Sequence, residues 1–347
     1  MGQGHRRYWL PIWSPDGGHL AVFEQVNAEI PTTRVIALAL PPGGPPVRWV
    51  WGEWKGEEPV LLSWLDARSL LVLTRGSGRS GNYILRALEA EPQREVVLAR
   101  GDSLFFSWNA VRRVLAWHRE GRYLELRLWD EGAVERRSDH TAAFNAPAWS
   151  PDGQWLAWAE QEGNTSVLRL ENLDRSAART VLTFTGGIAF SWSPTGRYLA
   201  LITDPTTTAP RIGPLSLYDI PADRLMRLGD QPHLAVLWSH DGRRLLAFRP
   251  LEIEPASGLV LLQARVYEPS GAARELGTFI PTLPFLNLLS RFDAFQGSAL
   301  LWSPDDRFVL IAAVEPGGKA GIYALHVSGW LEPRRLGDGV LAFYSPR

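Results

Sequence analysis

Residues 147–160 read PAWSPDGQWLAWAE, and the chain says nearly the same thing four more times. PIWSPDGGHLAVFE stands at 11–24, FSWSPTGRYLALIT at 190–203, VLWSHDGRRLLAFR at 236–249 and LLWSPDDRFVLIAA at 300–313. Each copy is an aromatic residue, a turn and an apolar run. In Ser-Pro-Asp-Gly the proline sets φ at the second turn position, the aspartate bonds nearby amides, and the glycine accepts a positive φ.

Working outward, the copies align on Trp13, Trp64, Trp108, Trp149, Trp192, Trp238, Trp302 and Tyr344, with separations of 51, 44, 41, 43, 46, 64 and 42 residues. A period in the forties with strand-like content points to propeller blades. Helical repeats of that length would need a 3.6-residue hydrophobic period, which most segments lack. Each unit reads as four strands, A to D. Strand A ends at the aromatic and strand B follows the turn. Strand C is the next run, as in LELRLW (124–129) and SVLRLEN (166–172), where alternation puts apolar side chains on one face. Strand D is shorter and more polar, as in REVVLA (94–99), which suits an edge where charge discourages stray pairing.

Seven sets of B, C and D strands stand against eight A-like strands. The expectation is an all-β protein: a single domain over 1–347, a seven-bladed β-propeller of four-stranded antiparallel blades. Either residues 7–13 or residues 340–344 supply the innermost strand of the closing blade. The repeated Trp packs between blades, where each sheet must bury a face it cannot cover alone. The recurring acids Asp16, Asp152 and Asp241 therefore read as turn scaffold rather than catalytic groups.

Repeated WSPDG followed by LAF or LAW resembles the Trp-Ser-Pro-Asp-Gly propeller repeats of the TolB type, over essentially the whole chain. Two copies depart from the pattern. WLDARS (64–69) and WNAVRR (108–113) lose Pro and Gly, so altered A–B turns are expected in blades two and three. The resemblance implies a bacterial, extracytoplasmic interaction module. On that basis the expected function is a non-catalytic scaffold that presents its B–C and D–A loop face to a protein or peptide partner. The alternative is an enzyme, a lyase or hydrolase, with a polar or metal site in the central channel.

The uniform SPDG turns mark one face as scaffold, and the variable B–C loops mark the other as the place for binding. They include GSGRSGN (76–82), DPTTTAPRIGP (204–214) and RPLEIEPASG (249–258). Arg75, Arg79, Arg211 and Arg249 are the candidate binding residues there. The long separation between Trp238 and Trp302 locates an insertion at about 281–296, before strand A of the last blade. Phe285, Leu288, Leu289, Phe292 and Phe295 recur at helical spacing, which predicts a short amphipathic helix. Its stripe either folds onto its own propeller or offers these residues to a partner as further binding candidates.

Enzyme signatures are few. GRSG (78–81) is not a nucleophile elbow, and GGKAG (317–321) is not a P-loop. His118, His140 and His233 lie near the loop-rich face without metal-ligand spacing, so no metal residue, catalytic residue or cofactor is assigned. A net charge of -1 gives no electrostatic reason to bind nucleic acid. The absence of cysteine excludes disulfides and thiolate chemistry. No apolar run is long enough for a membrane helix. The start lacks an apolar signal region: the chain is cytoplasmic if Met1 is the native start, and extracytoplasmic if a signal or anchor was removed.

Overall fold

The computed structural model describes residues 6–26, 30–39, 41, 44–77, 82–90, 93–142, 146–206, 211–253, 259–295 and 300–346. The chain is an all-β, seven-bladed β-propeller. It divides into two compact units, Met1–Phe144 with Pro346–Arg347, and Asn145–Ser345.

The first unit holds three blades. Blade one comprises β1 (Arg6–Trp13), β2 (His19–Val26), β3 (Thr32–Ala39) and β4 (Val47–Lys55). Blade two comprises β5 (Glu57–Asp66), β6 (Ser69–Gly76), β7 (Tyr83–Glu89) and β8 (Arg94–Gly101). Blade three comprises β9 (Leu104–Asn109), β10 (Val114–Arg119), β11 (Tyr123–Leu128) and β12 (Val134–Ser138).

The second unit holds four. Blade four comprises β13 (Ala148–Trp149), β14 (Trp155–Glu162), β15 (Thr165–Asn172) and β16 (Ala178–Phe184). Blade five comprises β17 (Gly187–Trp192), β18 (Tyr198–Asp204), β19 (Gly213–Asp219) and β20 (Arg224–His233). Blade six comprises β21 (Ala235–Trp238), β22 (Leu245–Ile253), β23 (Val260–Tyr267) and β24 (Ala273–Phe279). Blade seven comprises β25 (Phe308–Val314), β26 (Ala320–His326) and β27 (Arg334–Asp338), with a bridge from Trp302 to Val309 marking its first strand.

Each blade is an antiparallel meander in chain order. The second and third strands are buried and the fourth is largely exposed, as in β6 against β8. This follows from sequence: Leu70–Leu73 are apolar without interruption, whereas Arg94 and Glu95 open an edge strand.

The SPDG turn closes by side chains as well as backbone. The Ser150 hydroxyl accepts from the Trp155 amide at 2.9 Å and donates to Asp152, whose Oδ1 accepts from the Gln154 amide at 3.0 Å. Ser14, Ser193, Ser239 and Ser303 repeat the arrangement, with Thr195 replacing the acid in blade five. The fourth turn position has positive φ throughout, at 69° for Gly153 and at 54° for Asp306, which stands where the other copies have glycine. In blade two, where SPDG is lost, Asp66 still accepts from the Arg68 amide at 2.8 Å.

The closing question has a definite answer. Residues 6–13 form the first strand of blade one, pairing with β2. The tail around Tyr344 lies against Leu300, its amide donating to the Leu300 carbonyl at 2.9 Å. Blade seven differs from expectation in one respect: its first strand is in two pieces. Leu301 and Trp302 flank Val309 and Leu310, while Ile280, Pro281 and Thr282 flank residues 312–314 of the same β25. The insertion therefore interrupts the innermost strand instead of preceding it.

Candidate functional site

The insertion begins at Thr282, whose side chain caps α1 (Leu283–Leu289) by accepting from the Phe285 amide at 3.4 Å, with Pro284 in the first turn. A 3₁₀ turn, Phe292–Phe295, follows. Phe285 packs edge-to-face on Phe248 of β22, with ring centroids 5.7 Å apart, and tilted against Phe279 of β24. The 3₁₀ turn rests on β17 and β21, the first strands of blades five and six. Phe292 roofs a cavity of about 120 Å³ lined by Ser191, Trp192, Trp238, His240 and Trp302. That is well under the roughly 300 Å³ of an ordinary ligand pocket, so the cavity itself is no substrate site.

The anchored phenylalanines hold Asp293 between them. Asp293 is half-buried. Its carboxyl is pushed up to about 6, because the surrounding protein strips it of water. Arg211, the Ala294 amide and Arg291 pull the other way without prevailing. The Ala294 amide lies 3.1 Å from Oδ1.

Arg211 is brought there by a second device. Asp204, at the end of β18, accepts from the Ile212 amide at 2.8 Å and from the Thr206 amide and hydroxyl, each at 2.8 Å. Burial raises its carboxyl, but these bonds and Arg211 outweigh it, so Asp204 stays below the usual carboxylate range. Arg211 is only 8% exposed, and its buried Nε finds no hydrogen-bond partner. It lies against Gly187, where a β-carbon would stand 2.2 Å from that Nε. Gly186 adopts φ 80° and passes so close to Asp204 that a β-carbon would fall 2.2 Å from the Asp204 carbonyl oxygen. Gly187 is thus the space that admits the arginine, and Gly186 lets the backbone pass Asp204 and Pro205.

The predicted residues are placed as follows. Arg211 belongs to this cluster. Arg249 is half-buried on β22, with its Nε buried and unpartnered. Arg75 is exposed and pairs with Glu58. Arg79 lies outside the described residues. Phe285, Leu288, Leu289, Phe292 and Phe295 are all buried within their own unit, which corrects the idea that they are offered to a partner. Sequence reasoning read residues 281–296 for their phenylalanines and passed over Asp293. The signal was a lone acid in an apolar stripe, together with GG at a strand start.

Of the three histidines near the loops, His118 is buried against the Thr141 hydroxyl at 2.5 Å, His140 is exposed, and His233 bonds Tyr267. Among the described residues, no group of three or more His, Asp or Glu side chains is placed to hold a metal ion. No helix among the described residues is long and apolar enough to cross a membrane.

No family model matches the chain, and no curated protein is similar to it in sequence. Solved structures do share its fold. The dihydro-heme d1 dehydrogenase NirN, in complex with DHE, is 16% identical with a TM-score of 0.62, over 98% of this chain and 69% of that one. An oligogalacturonate lyase in complex with manganese is 10% identical with a TM-score of 0.57, over 97% of this chain and 86% of that one. A putative 6-phosphogluconolactonase from Bacteroides uniformis is 14% identical with a TM-score of 0.50, over 78% of this chain and 84% of that one. TolB from Acinetobacter baumannii is also among the similar structures, at 13% identity, over 90% of this chain and 78% of that one, with a TM-score of 0.44, too slight to place the chain in that family. At such identities the likeness establishes the propeller alone. The expectation of a non-catalytic scaffold is corrected to this extent: the similar structures include a lyase, a putative lactonase and a dehydrogenase, which fit the enzyme alternative better.

Proposed function

We propose that the chain is an enzyme, a lyase or hydrolase, in which Asp293 moves the proton and Arg211 holds an anionic group of the substrate. The observation that carries this reading is the half-buried Asp293, its carboxyl raised to about 6, within electrostatic reach of the buried Arg211 guanidinium. A group titrating near neutrality is present in both forms at working pH, as general acid–base catalysis requires. The enzyme propellers of similar fold support the same class.

In an elimination, the Asp293 carboxylate takes the proton from the carbon beside a substrate carboxylate. The C–H electron pair becomes the double bond, and the bond to the β-oxygen breaks, the oxygen leaving with that bond's electron pair and taking a proton from water. Arg211 steadies the negative charge that gathers on the substrate carboxylate meanwhile. In a hydrolysis, Asp293 takes the proton from the attacking water and Arg211 faces the oxyanion that forms; its collapse breaks the acyl C–O bond, and the leaving oxygen takes the proton back from Asp293.

The test is turnover of an oligogalacturonate, followed by the unsaturated product, and of an aldonolactone, followed by acid release. Activity is expected on one of them, and Asp293→Asn should lower it by about a hundredfold or more with the fold intact. Undiminished turnover in Asp293→Asn contradicts the assignment.

A further inference from the structure

The blades provide an internal comparison. In each of five blades, the third strand carries a charged or phenolic residue just past the bulge in its pairing with the fourth: Arg86, Glu125, Arg169, Arg265 and Tyr323. Four of the five are answered within their own blade. Arg86 pairs with Glu57 at 2.7 Å and Glu95 at 2.8 Å. Glu125 pairs with Arg119 and Arg136, each at 3.2 Å. Arg169 pairs with Glu160 and Glu162, and Tyr323 donates to Glu315 at 2.7 Å. Arg265 has no carboxylate within ion-pair distance among the described residues.

Its surroundings add positive charge instead of removing it. Gln263, Arg265 and Tyr267 share one face of β23, and Arg249 stands opposite Gln263 on β22. Arg249 also lacks a carboxylate partner among the described residues. The Nε atoms of Arg249 and Arg265 and the Oε1 of Gln263 are buried without hydrogen bonds, and Gln263 is 8% exposed. His233, fully buried at the end of β20, contacts the Tyr267 hydroxyl through Nε2 at 3.0 Å. Acids on the neighbouring strands do not pair with these arginines. Asp230 on β20 pairs with Arg227, and Glu275, opposite Arg265 on β24, is exposed.

We propose that the face of blade six bearing Arg249, Gln263, Arg265 and Tyr267, with His233 of blade five beside it, binds a small oxyanion, a carboxylate or phosphate group. Two guanidinium groups on one half-buried face match such a ligand in charge and in donor geometry. Leaving their buried donors unmet is costly, and an oxyanion meets them. The site stands apart from the catalytic reading and does not depend on it.

His233 provides a reporter. Its ring is held down to about 4, chiefly by burial; the nearby Gln231 carbonyl favours the proton without completing a hydrogen bond, while Arg265 and Arg249 oppose it. An anion between the arginines offsets their charge and moves the His233 titration upward.

The experiment adds inorganic phosphate or acetate to the full chain, with chloride at equal ionic strength as reference. Thermal stability and the imidazole NMR titration of His233 are followed. Phosphate, acetate or both should raise the melting temperature beyond chloride and raise the His233 titration point. Arg249→Gln and Arg265→Gln should each weaken the response at least about tenfold. A response to phosphate alone assigns a phosphate group, and to acetate alone a carboxylate. No response beyond chloride, or an equal response in both variants, overturns the proposal. Should Arg265→Gln fail to fold, Arg249→Gln and the His233 titration in the unaltered protein decide.

Discussion

The indole Nε1 of Trp192 donates to the carbonyl oxygen of Ala148 across 3.0 Å, and Ala148 is the residue before the equivalent tryptophan of the preceding blade. The same link runs from Trp238 to Ser191 at 3.2 Å and from Trp302 to Leu237 at 3.1 Å. In the first unit it runs from Trp64 to Ile12, whereas Trp108 donates to Leu65, the residue after Trp64. The repeated aromatic is therefore a directional joint as well as a packing element. Its ring fills the space between blades, and its one donor fixes the height at which they meet.

Trp192→Phe removes the donor and part of the ring, while Ala148 keeps its pairing with Ala157. A loss of about 0.5–1.5 kcal/mol is expected for the bond. Trp192→Ala should lose roughly 3–5 kcal/mol. Urea unfolding of the two variants checks this; a Phe variant as stable as the parent would show that the joint is packing alone.

Asp306 occupies the turn position that glycine fills in the other copies, and it has a use there. Its carboxylate accepts from the His240 and Asp241 amides, each at 2.9 Å, and lies 2.8 Å from His240 Nδ1. It thereby straps the turn of blade six to that of blade seven. Asp306→Gly relieves a strained φ worth about 1 kcal/mol and forfeits the charge-assisted bonds. A net loss of about 2–4 kcal/mol is expected from thermal or chemical denaturation. A stabilised Gly variant would mean the strap has no weight.

The fold was legible because its signal is local and repeated: SPDG turns, alternating third strands and a terminal tryptophan each follow from short-range chemistry. The phenylalanines of the insertion were legible as a stripe for the same reason. Where the insertion enters the fold was not, because pairing of residues 280–282 with β25 is a long-range event that leaves no periodicity. Nor was Asp293 legible. Its character comes from burial and from Arg211, which are far apart in sequence and meet only through Gly186, Gly187 and the Asp204 turn. Function misled for another reason: a turn motif speaks of scaffold, and scaffold carries no chemistry.

Gly187 tests how Arg211 is positioned. A β-carbon there meets the outer atoms of the flexible Arg211 side chain, whereas at Gly213 it would fall 1.7 Å from the Thr203 carbonyl oxygen. Gly213→Ala should therefore unfold the blade five loop with a large fall in melting temperature. Gly187→Ala should stay folded and lose turnover with Arg211 displaced. Equal stability of the two variants would contradict the close approach at Gly213.

The raised carboxyl of Asp293 has a stability cost with a definite sign. Its folded value of about 6 lies above the ordinary 3.8, so the folded state binds more protons than the unfolded chain between those values. Stability from this group is full below about pH 4 and is lost as pH rises through 6. Asp293→Asn should melt higher than the parent above pH 6 and show no such gain near pH 4. A lower melting temperature at neutral pH would mean the carboxylate is structurally required.

Carbon-13 NMR titration of the Asp293 carboxyl, in the parent and in Arg211→Gln, tests the account at its centre. The account predicts a titration near pH 6 in the parent, moving higher when the Arg211 charge is removed, because that cation favours the ionised form. A titration near the ordinary carboxylate value, or one indifferent to Arg211, would contradict it.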